Sequence, residues 1–159
     1  MKTMQQWLDE YGESHKNATN KTIHFICVPL IFFSVVGLIW EIPFPWLEFK
    51  LFGFQLNWAI ISVGLVFAYY AILSASISAG MLLFSGVCLL LLRFLDYNVS
   101  HMVPIWAISI AIFVLAWIGQ FYGHELEGKK PSFLKDLQFL LIGPAWIMSF
   151  VLGKIGIKY

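Results

Sequence analysis

Charged residues are scarce in this sequence, and the scarcity is uneven. Only 12% of the 159 residues are Asp, Glu, Lys or Arg, about half the share usual in soluble domains. None occurs between Thr22 and Trp40, between Leu51 and Leu92, between Tyr97 and Gly123, or between Leu137 and Gly153. Cysteine is equally sparse. Cys27 and Cys88 are the only two, both inside apolar runs, which excludes a disulfide framework and a thiolate-based zinc site. The first 22 residues lack the apolar core of a cleavable signal peptide, so the chain is expected to keep its N-terminus and insert by its own spans. There is no internal repeat, low-complexity tract or second domain, and the expectation is a single integral membrane domain over residues 1–159. The formal net charge is +1, and nucleic acid is not an expected partner.

What fills the chain instead is hydrophobic: 60% of residues, with a mean hydropathy of +0.79. A spanning helix needs roughly 20 mainly apolar residues. The long run from Leu51 to Leu92 accommodates two passes, with Ser74, Ser76, Ser78 and Gly80 marking the hairpin between them. Four spans are predicted, near 23–40, 57–73, 77–95 and 102–122, and a fifth segment at 137–153 either crosses or re-enters, because Gly143 and Pro144 interrupt it. The fold class is therefore an all-α polytopic membrane helix bundle. Four crossings leave Lys2, Lys16, Lys21, Lys129, Lys130 and Lys135 on one side and Lys50 and Arg93 on the other, so the N-terminus is predicted cytoplasmic. A re-entrant last segment adds Lys154 and Lys158 to the majority, and the charge rule leans that way.

Within residues 1–22, Met4, Trp7, Leu8 and Tyr11 fall at helical spacing, opposite Gln5, Asp9, Glu10 and Glu13. Thr3 and Gln6 have the spacing of a capping box. This reads as an amphipathic interfacial helix whose Trp and Tyr suit the headgroup layer.

Three of the four histidines gather on one side of that topology. His15 and His24 precede or open the first span and His124 follows the fourth, so an even number of crossings returns all three to the cytoplasmic side. On a helix opened by Asn17 or Thr19, Asn20 and His24 share a face; Gln120, His124 and Glu127 share another. Neutral imidazole is the commonest metal ligand, and three of them leave positions open on iron or zinc for substrate and a second reactant. By spacing, Asn20, Gln120 and Glu127 are placed to hold the rings through their second nitrogens. The competing reading is that interfacial histidines merely solvate helix ends. His101 falls on the opposite side, before Met102, Val103 and Pro104, and reads as a helix-start residue. A zinc-protease reading of His124-Glu125 fails because Gly128 stands where the second histidine would be.

Two blocks carry a resemblance. The segment His15-Lys-Asn-Ala-Thr-Asn20-Lys-Thr-Ile-His24-Phe-Ile-Cys-Val-Pro29-Leu and the segment Trp117-Ile-Gly-Gln120-Phe-Tyr-Gly123-His124-Glu-Leu-Glu127-Gly-Lys-Lys-Pro131 together resemble the membrane-bound 2-hydroxy fatty acid dioxygenase family. The likeness runs over nearly the whole chain, with Ser132 and Phe133 where Ala and Leu are expected, and Cys27 where Gly is common.

The resemblance implies an Fe(2+) enzyme of fatty acid α-oxidation that cuts a long-chain 2-hydroxy fatty acid with dioxygen to the acid one carbon shorter, in sphingoid-base catabolism. It implies His15, His24 and His124 as metal ligands, and Asn20, Gln120 and Glu127 as residues supporting them or touching substrate. Membrane lipid is the surrounding partner and a homo-oligomer is compatible with it. The implied location is a bacterial inner membrane or the endoplasmic reticulum membrane, with the metal on the cytoplasmic face. Readings from other classes are a non-catalytic membrane scaffold and a zinc-dependent lipid hydrolase on the same ligands. A transporter would place ionisable groups within its spans, and the four predicted spans lack them.

Overall fold

The computed structural model describes residues 2–44, 50–51, 54–128 and 139–159. Lys129, Lys130, Pro131, Ser132, Phe133 and Lys135 lie outside the described residues. The described chain is almost wholly helical: α1 Met4–Gly12, α2 Ala18–Trp40, α3 Trp58–Leu73, α4 Ala75–Asn98, α5 Ile105–Leu126 and α6 Ile142–Lys154. The exception is a two-residue antiparallel pairing of β1 Lys50–Leu51 with β2 Phe54–Gln55, in the connection between α2 and α3.

Each boundary has a local cause. Thr3 and Gln6 form the expected capping box at the start of α1. Asn17 opens α2 by accepting from the backbone N–H groups of Thr19 and Asn20, so this helix begins five residues before the apolar run that marks it in the sequence. Asn57 caps α3, Ser74 closes α3 and opens α4, and Pro104 precedes α5. Gly128, with φ of 70°, follows α5 in the left-handed conformation that glycine adopts without a Cβ penalty.

Three helices, α2, α4 and α5, are long and apolar enough to cross a membrane. At 16 residues, α3 is just under the roughly 17–25 that a crossing helix ordinarily spans. The 13-residue α6 rises only about 20 Å at 1.5 Å per residue. It is also tethered at both ends to the same end of the bundle. The Tyr70 hydroxyl, near the end of α3, donates to the Leu141 carbonyl, and Ser76 in the first turn of α4 donates to the Lys158 carbonyl at 2.8 Å. Because α3 ends where α4 begins, α6 does not traverse the bundle. Pro144 sits in its first turn, where a missing N–H costs nothing. The dipeptide Gly143-Pro144 therefore starts this helix, whereas the apolar run alone made it look like an interruption.

The most extensive helix pair is α2 with α5, which run antiparallel with small residues at their crossing. A Cβ on Gly119 would stand 2.7 Å from Cys27 Sγ, and one on Gly37 would overlap the Ser109 hydroxyl. Gly80 admits Met148 of α6 in the same way, with a virtual Cβ 2.6 Å from its sulfur, so the small residues of the α3–α4 hairpin serve close packing. Outward faces carry Leu65, Ile72, Leu83, Phe94 and Leu115 exposed, as a lipid-facing surface requires.

The apolar face of α1 is differently used from the interfacial expectation. Met4, Leu8 and Tyr11 are buried in the protein, with Tyr11 against Trp146 and Phe139, and Trp7 packs edge-on against Phe139. The helical spacing was correct, but lipid and a helix surface offer the same apolar complement, and α6 supplies it.

Candidate metal centre

His15, on the turn after α1, His24, in the second turn of α2, and His124, near the end of α5, meet at the end of the bundle where α1 and α6 lie. All three are buried. Ring centroids are 4.2 Å apart for His15–His24, 4.9 Å for His24–His124 and 5.6 Å for His15–His124. One ligand atom from each can be chosen so that all lie within 4.8 Å of one another. His101 is exposed at the other end of α5, away from this cluster.

Backbone carbonyls fix two of the rings. His15 Nδ1 lies 2.7 Å from the Tyr11 carbonyl and His24 Nδ1 lies 3.0 Å from the Asn20 carbonyl. A carbonyl only accepts, so each Nδ1 carries the hydrogen, and in the neutral ring Nε2 is then a bare lone pair. The Nε2 of His24 is completely buried and has no hydrogen-bond partner among the described residues. Leaving such an acceptor unmet costs about 1–3 kcal/mol. A divalent cation shared among three imidazoles removes that cost, and metal-bound histidines commonly hold their second nitrogen on a carbonyl in this manner. The donor set and its orientation fit a metal such as iron(II) or zinc with open coordination positions.

The side chains of Asn20, Gln120 and Glu127 do not hold the His15 and His24 rings through their second nitrogens, because Tyr11 and Asn20 carbonyls occupy that position. Their placement is otherwise close to the expected one. Asn20 is fully buried, and its Nδ2 donates to the Ser14 carbonyl at 3.1 Å and to Glu127 at 3.0 Å. Glu127 also accepts the backbone N–H groups of Lys16 at 2.8 Å and Asn17 at 2.9 Å, clamping the end of α5 to the loop that carries His15. Burial acts to raise the Glu127 pKa, but the donors from Asn20, Asn17 and Lys16, together with His15, outweigh it and hold the carboxyl below its ordinary value. Gln120 is buried one turn before His124 and faces a small cavity.

Three participants were not singled out in the sequence. Tyr11 stacks on His15 with centroids 4.3 Å apart and planes 14° from parallel, and Trp146 of α6 lies 5.2 Å from the same ring. Gly123 lets α5 approach α2, since a Cβ there would overlap Asn20 Oδ1 and stand 3.4 Å from His24 Cε1. The signal for Gly123 was present as Gly119-x-x-x-Gly123, a spacing that brings helices close in membranes.

A family model described as 2-hydroxy-palmitic acid dioxygenase Mpo1-like matches residues 1–155. The chain is 32% identical over 149 residues to the 2-hydroxy-palmitic acid dioxygenase MPO1 of Saccharomyces cerevisiae, an alignment covering 92% of this chain and 78% of that protein. No solved structure matches.

Proposed function

The chain belongs to the 2-hydroxy-palmitic acid dioxygenase Mpo1-like family, and we propose that it is an iron(II)-dependent dioxygenase shortening long-chain 2-hydroxy fatty acids by one carbon. The observation that carries this reading is the convergence of three buried imidazoles, His15, His24 and His124, two of them oriented by backbone carbonyls.

In this reading those three residues hold the metal, and Asn20 and Glu127 support them by joining α2, α5 and the His15 loop. Bound iron(II) supplies chelation of a 2-hydroxy carboxylate and activation of dioxygen. The protein supplies geometry and exclusion of water. Burial of the ring cluster beneath Tyr11 and Trp146 keeps bulk solvent from the reacting end of the substrate. The cluster's position at one end of an apolar bundle sorts the substrate by chemistry: each methylene kept out of water is worth about 0.8 kcal/mol, so the acyl chain stays with the helices and lipid while the polar end reaches the imidazoles. Asn20, Gln120 and Glu127 form the polar margin on which that end arrives. The same reading places the reaction in sphingoid-base breakdown at a bacterial inner membrane or the endoplasmic reticulum membrane, with the metal facing the cytoplasm.

Detergent-purified protein, loaded anaerobically with iron(II), given 2-hydroxypalmitate and then exposed to air, tests this by mass spectrometry. Pentadecanoic acid is expected, dependent on iron and dioxygen and absent in His124→Ala. Folded, iron-loaded protein that leaves the substrate intact would overturn the reading. Turnover of a lipid ester with zinc and without dioxygen would replace it with a hydrolase.

A further inference from the structure

The polar end of a fatty acid has to reach three buried imidazoles, and a seam of aromatic rings stands between them and the outer surface of the bundle. Phe25 follows His24 directly on α2, and Trp146 and Phe150 lie one turn apart on one face of α6. The three rings touch one another, with centroids 5.7 Å apart for Phe25–Trp146, 5.4 Å for Phe25–Phe150 and 4.8 Å for Trp146–Phe150. They form a series from inside to outside. Trp146 is 4% exposed and lies 5.2 Å from the His15 ring, while Phe25 and Phe150 are 37% and 40% exposed. Their chain neighbours Ile26 and Val151 are exposed too, so the outer two rings belong to the lipid-facing surface.

Two features make this seam the place where the cluster can open to the membrane. No hydrogen bond or ion pair joins α2 to α6 among the described residues. The bonds that seat α6 run instead to α3 and α4, from the Tyr70 hydroxyl to the Leu141 carbonyl and from Ser76 to the Lys158 carbonyl just beyond the helix. Behind the rings there is also room. A cavity of about 420 Å³ lies between α1 and α6, bordered by Leu8 and Asp9 on α1 and by Trp146, Phe150 and Lys154 on α6. Phe150 can therefore part from Phe25 by a change of rotamer alone, a motion of ps–ns timescale for exposed side chains. The opposite flank of the cluster is closed by contrast, since α2 and α5 meet through Gly119 and Gly123 at distances that leave no space for a Cβ.

We propose that the Phe25–Trp146–Phe150 seam is the port by which the fatty acid enters from the membrane, its acyl chain lying against Phe25 and Phe150 while the 2-hydroxy carboxylate passes Trp146 to the imidazoles. Under the dioxygenase reading, on which this rests, the polar end and the chain are separated by one ring. Trp146 stands at the boundary between them. Phe25 and Phe150 touch only methylenes, so they set which chain lengths are held and take no part in the chemistry.

Full-length protein loaded anaerobically with iron(II) holds the substrate without turnover, because dioxygen is withheld. In that state it is exposed to a 2-hydroxy fatty acid carrying a diazirine part-way along its chain. Photolysis should attach the label to Phe25, Phe150 or the residues beside them, and excess 2-hydroxypalmitate should prevent it. Phe25→Ala and Phe150→Ala should each raise the ratio of the KM for 2-hydroxypalmitate to that for 2-hydroxyhexanoate several-fold, because only the longer chain reaches the rings. Rings that merely pack α6 in place would lower stability in these variants and leave that ratio unchanged. Competed label confined to α3 or to the outer faces of α4 and α5, or an unchanged ratio in both variants, overturns the proposal. Failure of the dioxygenase reading looks different: the competed label falls on the seam, and admission of dioxygen then yields no shortened acid.

Discussion

Gly123 and Asn20 meet where α5 crosses α2, and the contact is so close that a Cβ on the glycine would stand 2.4 Å from the amide oxygen of the asparagine. This crossing sets the separation of His24 from His124. Overpacking a tight contact costs about 1–3 kcal/mol, so Gly123→Ala should lower stability by that order. It should also weaken metal binding at least as much as loss of a supporting residue does, about 10–100-fold. Gly64→Ala is the control, because nothing lies within 4 Å of its virtual Cβ and alanine is the better helix former by about 0.5–1 kcal/mol. Denaturation in detergent read beside an iron(II) or cobalt(II) titration separates the two effects.

Removing an imidazole should cost metal without costing the fold. In His24→Ala the buried, unpartnered Nε2 disappears along with its ring, so the metal-free variant should be no less stable than a cavity of that size dictates. Its metal affinity should fall by more than the roughly 10–100-fold of a supporting residue. The same loss is expected for His15→Ala and His124→Ala. Affinity in the wild type should fall on acidification, since protons compete for the imidazole lone pairs. Isothermal titration with metal at two pH values, paired with thermal melts of the metal-free proteins, checks both halves. A variant that binds metal as wild type does removes that residue from the ligand set.

Much of this site was legible in the sequence because its logic is topological. His15, His24 and His124 come together once the apolar runs are counted, and Asn20 with His24, like Gln120 with His124, needed only the helical period. What held the rings was not legible. The His15 and His24 rings are anchored by main-chain carbonyls four residues earlier, and carbonyls belong to every residue, so Tyr11 carries no mark of the role in its side-chain type. The covering of α1 was hidden for another reason: its apolar stripe of Met4, Leu8 and Tyr11 states that it needs an apolar neighbour, and lipid and α6 satisfy that need equally. The start of α6 was obscured by Pro144, which breaks a helix in its middle and begins one in its first turn.

Glu127 should make stability depend on pH in acid. Its pKa is held below the ordinary carboxylate value by the donors from Asn20, Asn17 and Lys16 and by His15, against the opposing effect of burial. A lowered folded-state pKa means the unfolded chain binds the proton first, so the contribution is complete above the unfolded value of about 4.3 and is lost as pH falls through the folded one. Wild type should therefore lose stability on acidification below about pH 5, and Glu127→Gln should lose less over the same window. The variant retains one acceptor oxygen where the carboxylate offers two, so it should already be less stable at neutral pH, by an amount of order 1–3 kcal/mol. Denaturant midpoints measured across the acid range in both proteins decide it; parallel profiles would remove Glu127 as the clamp.

Tyr70 connects the bundle to the helix that covers the imidazole cluster. Its side chain is fully buried in α3, and its hydroxyl donates to the Leu141 carbonyl at the start of α6. Two and five residues later, Gly143 and Trp146 reach Tyr11 and His15. Tyr70→Phe keeps the ring and deletes the donor, which leaves a partly buried carbonyl without that bond and should cost about 1–3 kcal/mol. The loss should be local. Hydrogen exchange of amides in α6 should accelerate, by up to the roughly tenfold that each 1.4 kcal/mol represents, while the amides of α2 and α5 exchange as before. Metal affinity should change little, because the three imidazoles belong to the α1–α2 turn, α2 and α5. Turnover should fall nonetheless, since Trp146 no longer stays against His15 and water gains access to the cluster. An α6 that exchanges no faster in Tyr70→Phe would show that packing against α1 and α4, through Trp146 and Met148, is sufficient to seat it.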